Sequence, residues 1–231
     1  MKKKKKALCS GLKDKFCKVH GFLIAEYNKR SKYGFIYVFT SVFVKLLCVL
    51  NLVEWFKVLF VFICRLLNQN TIEKEAKNWA IDLFIVLKYL FLVLVISLPH
   101  NSLALTGVVY LLVMNLFTYF YHHVWKTPTD SCAHWQARRF VSLFLAIVFN
   151  VLCYFYLYWN GMSSLIRWNE GVPVSMARVA QFSLANTFML PSLLSVENTL
   201  GLYLQTSQQM ISWIFLVIIL AQSIPQLKKE E

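Results

Sequence analysis

Charged side chains make up only 15% of the 231 residues, glycine occurs 7 times and proline 5. A soluble domain carries about a quarter charged residues, and so few turn formers leave little chain for loops. A loop-rich α/β enzyme is therefore excluded. No Gly-x-Ser-x-Gly, Gly-rich phosphate loop or carboxylate pair occurs, so an enzyme would have no visible site. The six cysteines (Cys9, Cys17, Cys48, Cys64, Cys132, Cys153) contain no Cys-x-x-Cys. Three of them, Cys48, Cys64 and Cys153, lie in apolar runs where a thiol acts as a small hydrophobe. His122-His123 with Cys132 and His134 match no common zinc spacing. Neither a metal nor another cofactor is expected.

What is present is apolar: 58% of residues are hydrophobic and 16% aromatic. This composition indicates an all-α integral membrane protein, because a crossing helix needs about 20 apolar residues. Stretches 83–98, 103–121 and 140–159 qualify, as does 209–221 once extended to 206–224. Pro99-His100-Asn101-Ser102 is a tight break that makes the first two an antiparallel hairpin. Asn70-x-x-Glu73 has capping-box spacing and starts the first helix near Thr71. In 34–69, Asn51, Glu54, Lys57, Arg65 and Asn68 share about a third of a helical circumference at ~100° per residue. That region is expected to be an amphipathic helix in the membrane interface. Four transmembrane helices result, with the interfacial helix before them and a re-entrant helix between the last two.

The net charge of +13 is unevenly spread. Residues 1–33 hold eleven Lys/Arg, including Lys2 to Lys6, against Asp14 and Glu26, which leaves +9 there. A basic tail beside membrane spans is a topology signal that contacts anionic lipid, rather than a nucleic-acid arm. With 126–138, which includes Arg138, and the 226–231 tail it is expected inside, so both termini are cytoplasmic in an inner or plasma membrane. Segment 70–125 is then the hairpin and 139–225 the final unit. Lys88 is expected to pair with Asp82 or snorkel, since only one charge interrupts the first two spans and no arginine series suggests a voltage sensor. Asn115 and Asn150 are expected to bond across helices. Trp125, Trp135, Tyr158, Trp159 and Trp168 are expected to anchor at the interface.

The stretch 160–205 is the most informative. A helix-like piece from Ser175 stops at Leu190-Pro191, too short to cross but long enough to enter and return. Non-helical backbone at membrane depth survives only where protein or water satisfies it. Arg138-Arg139-Phe140, Tyr154-Phe155-Tyr156, Gln181-Phe182-Ser183-Leu184 and Thr199-Leu200-Gly201, with the final aliphatic helix, resemble the two-helix pore domain of tetrameric potassium-channel-like proteins. The resemblance covers about 138–225. It implies a homotetramer whose filter positions read Thr187, Phe188, Met189, Leu190, Pro191, Ser192 and Leu193. No glycine stands between Gly171 and Gly201, so a ring of inward carbonyls is not expected.

On the last helix Gln205, Gln208, Gln209, Ser212, Leu216, Ile219 and Ser223 share one face. They either line a vestibule with a Leu216/Ile219 constriction that gates by dewetting, or bond across a helix interface. Arg178 and Glu197 are candidates for the outer mouth. The expectation is a non-potassium-selective or hydrophobically gated pore. The alternative is a non-conducting scaffold or sensor with a channel-like fold, served by a regulatory partner not identified from the sequence.

Overall fold

Residues 35–67, 73–121 and 133–223 are described by the computed structural model, and their regular structure is helical apart from one bridged residue pair. The helices are α1 (Phe35–Leu50), α2 (Leu52–Leu67), α3 (Glu73–Ser97), α4 (Ser102–Phe120), α5 (Ala133–Tyr156), α6 (Met176–Thr187) and α7 (Thr199–Ser223). Segment 1–33, Asn68, Asn70, Thr71, His122, His123, Trp125, Cys132 and the 226–231 tail lie outside the described residues.

The chain forms two compact units, Met1–Glu54 and Trp55–Glu231. In the first, α1 carries exposed Ile36, Phe39, Phe43 and Leu46. It ends at Asn51, whose Oδ1 accepts from the Val53 amide at 3.1 Å. Asparagine favours such caps over helix interiors, so Asn51 breaks the expected single helix instead of sitting on its polar face.

In the second unit α2 runs antiparallel to α3. Phe56 packs on Phe84 with ring centroids 5.6 Å apart, while at the other end Arg65 and Lys77 both pair with Glu73. The Lys77 hydrogen bond and charge, then Arg65, hold the Glu73 carboxyl below its usual range. These contacts set α2 alongside the first half of α3, from Glu73 to Phe84. Trp55, Val58, Leu59, Ile63 and Leu66 are exposed along it.

Glu75–Ser97, Ser102–Phe120 and Phe140–Gly161 are long and apolar enough to cross a membrane. A fourth span results if the broken pair Phe39–Leu50 and Leu52–Leu66 is counted as one. By length and composition this is a multi-pass membrane protein. The expected span 206–224 does form a helix of 25 residues in α7. It is not among the three, which are counted among the described residues; the side chains of its aliphatic end from residue 219 onward are not among them. The break between α3 and α4 is as expected: Asn101 caps α4 by accepting from the Leu103 amide at 2.9 Å.

The hub is α5. Half of its span is buried, against 22% for α3 and 33% for α4. Burial of apolar surface drives little helix association in lipid; packing and interhelical hydrogen bonds carry it. Here the donors converge on α5 carbonyls. Tyr119 Oη donates to Ser142 O at 2.7 Å, Tyr89 Oη to Leu145 O at 2.5 Å, and Asn115 Nδ2 to Ala146 O at 3.1 Å. Ser183 Oγ donates to Val151 O at 2.8 Å. Asn150, expected to act like Asn115, is buried on α5 with neither amide atom bonded.

Candidate functional site: a half-helix between two long ones

After Tyr156 the α5 backbone widens into a five-residue π-turn, Leu157–Gly161. Gly161 sits 3.0 Å from Leu105 Cδ1, measured from where its Cβ would stand, and Asn160 Nδ2 donates to Leu98 O at 2.6 Å. These contacts tie the end of α5 to the α3–α4 break. Gly171, at φ +84°, turns the chain back. Helix α6 then starts at Ser175, whose hydroxyl accepts from the Arg178 amide.

At 12 residues α6 is about 18 Å long, roughly half the apolar thickness of a bilayer. Ser183 on it bonds Val151, which stands midway along the α5 span Phe140–Gly161. Phe182 packs edge-on against Tyr158 and Trp168, with both centroid distances 5.1 Å. Tyr158 and Trp168, expected as interface anchors, are thus core packing, with Tyr158 only 1% exposed.

The polar lock lies between α6 and α7. Gln208 is fully buried and its amide is saturated. Its Nε2 donates to Ser183 O at 2.8 Å, Ser183 Oγ at 3.1 Å and Thr187 Oγ1 at 2.8 Å. Its Oε1 accepts from Tyr158 Oη at 3.0 Å and Asn186 Nδ2 at 2.8 Å. Asn186 Oδ1 takes a bond from Gln209 Nε2 at 2.9 Å, and Asn186 Nδ2 also reaches Gln205 O at 3.2 Å. One turn away, Tyr154 Oη and Ser207 Oγ are 2.8 Å apart.

The helix ends in a Schellman cap. Leu190 N donates to Ala185 O at 2.8 Å and Met189 N to Asn186 O at 3.3 Å, with Met189 at φ +56°. Glycine usually holds that left-handed position, which costs other residues about 1–2 kcal/mol. Pro191 then prevents the helix from continuing. Replacing Met189, which is 44% exposed, with glycine is expected to gain roughly 0.5–1 kcal/mol after the unfolded-state entropy is counted. Valine there is expected to lower stability. Thermal unfolding in detergent checks both.

The return strand is stitched to the segment after α5. Trp168 and Val196 form an antiparallel bridge. Asn169 Oδ1 accepts from Ser195 N at 2.9 Å, while Asn198 receives Arg167 N at 3.0 Å and donates to Leu165 O at 2.6 Å. Leu194, 2% exposed, anchors the strand in the core. Gly201 makes the crossing possible: a Cβ there would stand 2.1 Å from Val196 Cγ1 and 2.8 Å from Asn198 Oδ1. Gly201→Ala is expected to cost about 1–3 kcal/mol by overpacking, seen as a lower unfolding midpoint and as proteolytic nicking between residues 190 and 198.

The filter candidates therefore form a helix cap and the turn after it. Thr187 is buried on Ser183 O and Gln208, whereas Phe188, Met189, Leu190, Pro191 and Leu193 are exposed and Ser192 half-buried. The Ser183–Asn186 carbonyls are all used, by Thr187 and Gln208 or by the cap. Of the lining candidates, Gln208 faces α6 and not a lumen, because its own chain buries it completely. Gln205 and Gln209 are half-buried at the same interface. Ser212 Oγ bonds back to Gln208 O at 2.8 Å, and Leu216 is exposed. The side chains of Ile219 and Ser223 are outside the described residues. Arg178 Nη1 donates to Pro173 O at 2.8 Å; Glu197 is exposed, and its amide bonds Arg167 O.

Lys88 departs from both alternatives the sequence offered. It sits near the middle of Glu75–Ser97, 7% exposed, and turns inward away from exposed Asp82. Its Nζ donates to Asn115 Oδ1 at 2.7 Å and lies 4.4 Å from the Phe149 ring centroid. An ammonium is thus held at the meeting of α3, α4 and α5 by an amide and an aromatic face. No known family, curated protein or solved structure matches the chain. Its function is read from this geometry.

Proposed function

We propose that the protein is a channel-like membrane protein, assembling as a homotetramer around the α5–α6–α7 unit, whose pathway is closed by apolar side chains rather than a selectivity filter. The observation that carries this reading is the half-helix α6, bonded through Ser183 to Val151 between two long helices. With the filter positions spent on a helix cap, no ring of carbonyls is offered to a dehydrated potassium ion. The α7 face of Leu216 then supplies a constriction that opens by wetting, so flux is weakly selective. The basic end at Lys2 to Lys6 faces the cytoplasm and anionic lipid of the inner or plasma membrane, and no nucleic acid or catalysis enters the reading.

The test is flux through the full-length protein in liposomes. Wild type is expected to leak little, and Leu216→Ser to raise flux at least about tenfold, the effect of ~1.4 kcal/mol off a barrier, and to slow growth of cells expressing it. A protein that purifies as a monomer overturns the reading. If Leu216→Ser only loses stability, the second reading stands: a non-conducting scaffold or sensor. The observation favouring that reading is Gln208, whose amide a wet vestibule would want and the α6 interface consumes.

A further inference from the structure

Asn150 stands beside Val151, midway along the α5 span, and is 1% exposed. Neither its Oδ1 nor its Nδ2 bonds any described residue. A buried amide is costly until something answers its hydrogen bonds, and what answers them is protein or an internal molecule. The helix register shows where such a molecule fits. Tyr119 reaches Ser142 O and Asn115 reaches Ala146 O. The next turn of the same antiparallel register sets Leu111 level with Asn150. Leu111 has no polar side-chain atom, and the amide of Asn115 is one turn away. Helical side chains lean toward the N-terminus of their own helix, so on antiparallel α4 and α5 Asn115 and Asn150 lean toward each other. Ala146, buried in the layer between them, fills it with a methyl group alone.

We propose that this layer binds an internal water molecule, which accepts from Asn115 Nδ2 and donates to Asn150 Oδ1, joining α4 to α5 beside the direct bond to Ala146 O. Asn115 Nδ2 carries two N–H groups and uses one on Ala146 O, so the second serves the water. Charge and valence decide against an ion. The Lys88 ammonium on Asn115 Oδ1 repels a second cation. An anion would suit the N–H groups but leave Asn150 Oδ1 with nothing to accept, whereas water donates and accepts at once. Internal waters commonly make about 2–4 such bonds, and these two amides supply the first two. The inference is independent of whether the protein conducts.

The test is radiolytic labelling of the full-length protein in lipid nanodiscs made in heavy-oxygen water, read by mass spectrometry, with thermal unfolding alongside. Radiolysis of a bound water oxidises the side chains it touches. Wild type is expected to carry heavy-oxygen label on Leu111 and Leu112, above that on Leu92, which is also buried. Asn150→Leu is expected to remove that label and to lower the unfolding midpoint, because the second Asn115 N–H loses its acceptor. Ala146→Ser, whose hydroxyl takes the place of the water, is expected to remove the label and keep the midpoint. Exchange of chloride for gluconate is expected to change neither. No label above Leu92 in wild type, label that survives Asn150→Leu, a midpoint that rises in that variant, or a dependence on chloride would each overturn the proposal.

Discussion

Asn115→Leu is expected to destabilise the protein by about 3–5 kcal/mol, the cost of leaving a buried charge without its partner. The Lys88 ammonium has one hydrogen bond, to Asn115 Oδ1, and a ring face at Phe149. The same amide also ties α4 to Ala146 O of α5. Leucine removes both bonds and leaves an ion facing hydrocarbon, where side chains of its kind are costly even when solvated by defects. Lys88→Met should behave oppositely. It removes the ion, keeps the unbranched stem's volume, and leaves Asn115 bonded to Ala146, so its unfolding midpoint should match or exceed that of wild type. The double variant Lys88→Met/Asn115→Leu should recover most of the loss. A double variant no more stable than Asn115→Leu alone would show that Lys88 carries no buried charge. Lys88→Met has a second use: its flux in liposomes tells whether the charge serves transport.

The second large effect is expected at Gln208. Five contacts converge on its amide, three of them served by the two N–H groups of Nε2, so four bonds at about 0.6 kcal/mol each in a bilayer amount to about 2.4 kcal/mol. Gln208→Leu should lose roughly that much. Asn186 keeps Gln205 O and Gln209, and Ser183 keeps Val151 O, so the hydroxyl that loses its bond is that of Tyr158. Gln208→Glu should be worse than leucine despite its matching shape, because a carboxylate oxygen would face Ser183 O where Nε2 now donates. Unfolding in detergent measures the order wild type, leucine, glutamate. The readout specific to α6 is faster cleavage or hydrogen exchange across residues 176–190, with the α3–α4 hairpin unchanged. Equal protection of both regions would mean that Gln208 does not hold α6.

The helices and their breaks were legible where one local cause acts. Asn101 after Pro99 ends one helix and caps the next, and the return at Leu190-Pro191 follows from proline's missing N–H. The nature of that return was not legible, because a Schellman cap is marked by glycine and Met189 stands there instead. The break in 34–69 has a related cause: Asn51 shares the polar face of the periodicity, whereas asparagine accepting from the amide two residues on ends a helix more readily than it decorates one. Gln208 could not be separated from Gln205 and Gln209 by periodicity, since a shared face does not say what it faces. A signal for the Lys88–Asn115 pair does stand in the sequence. The two residues stand thirteen before and fourteen after Asn101, and an antiparallel hairpin brings equidistant positions together.

The convergence of donors on α5 has a consequence for how the chain is made. Tyr89 meets its acceptor 56 residues later, Asn115 31 residues later and Tyr119 23 residues later. The α3–α4 hairpin therefore enters the bilayer before the backbone that receives its hydroxyls and amides has been synthesised. Among these polar contacts only Lys88 with Asn115 closes within the hairpin itself. That pair gives the Lys88 ammonium an acceptor before α5 arrives.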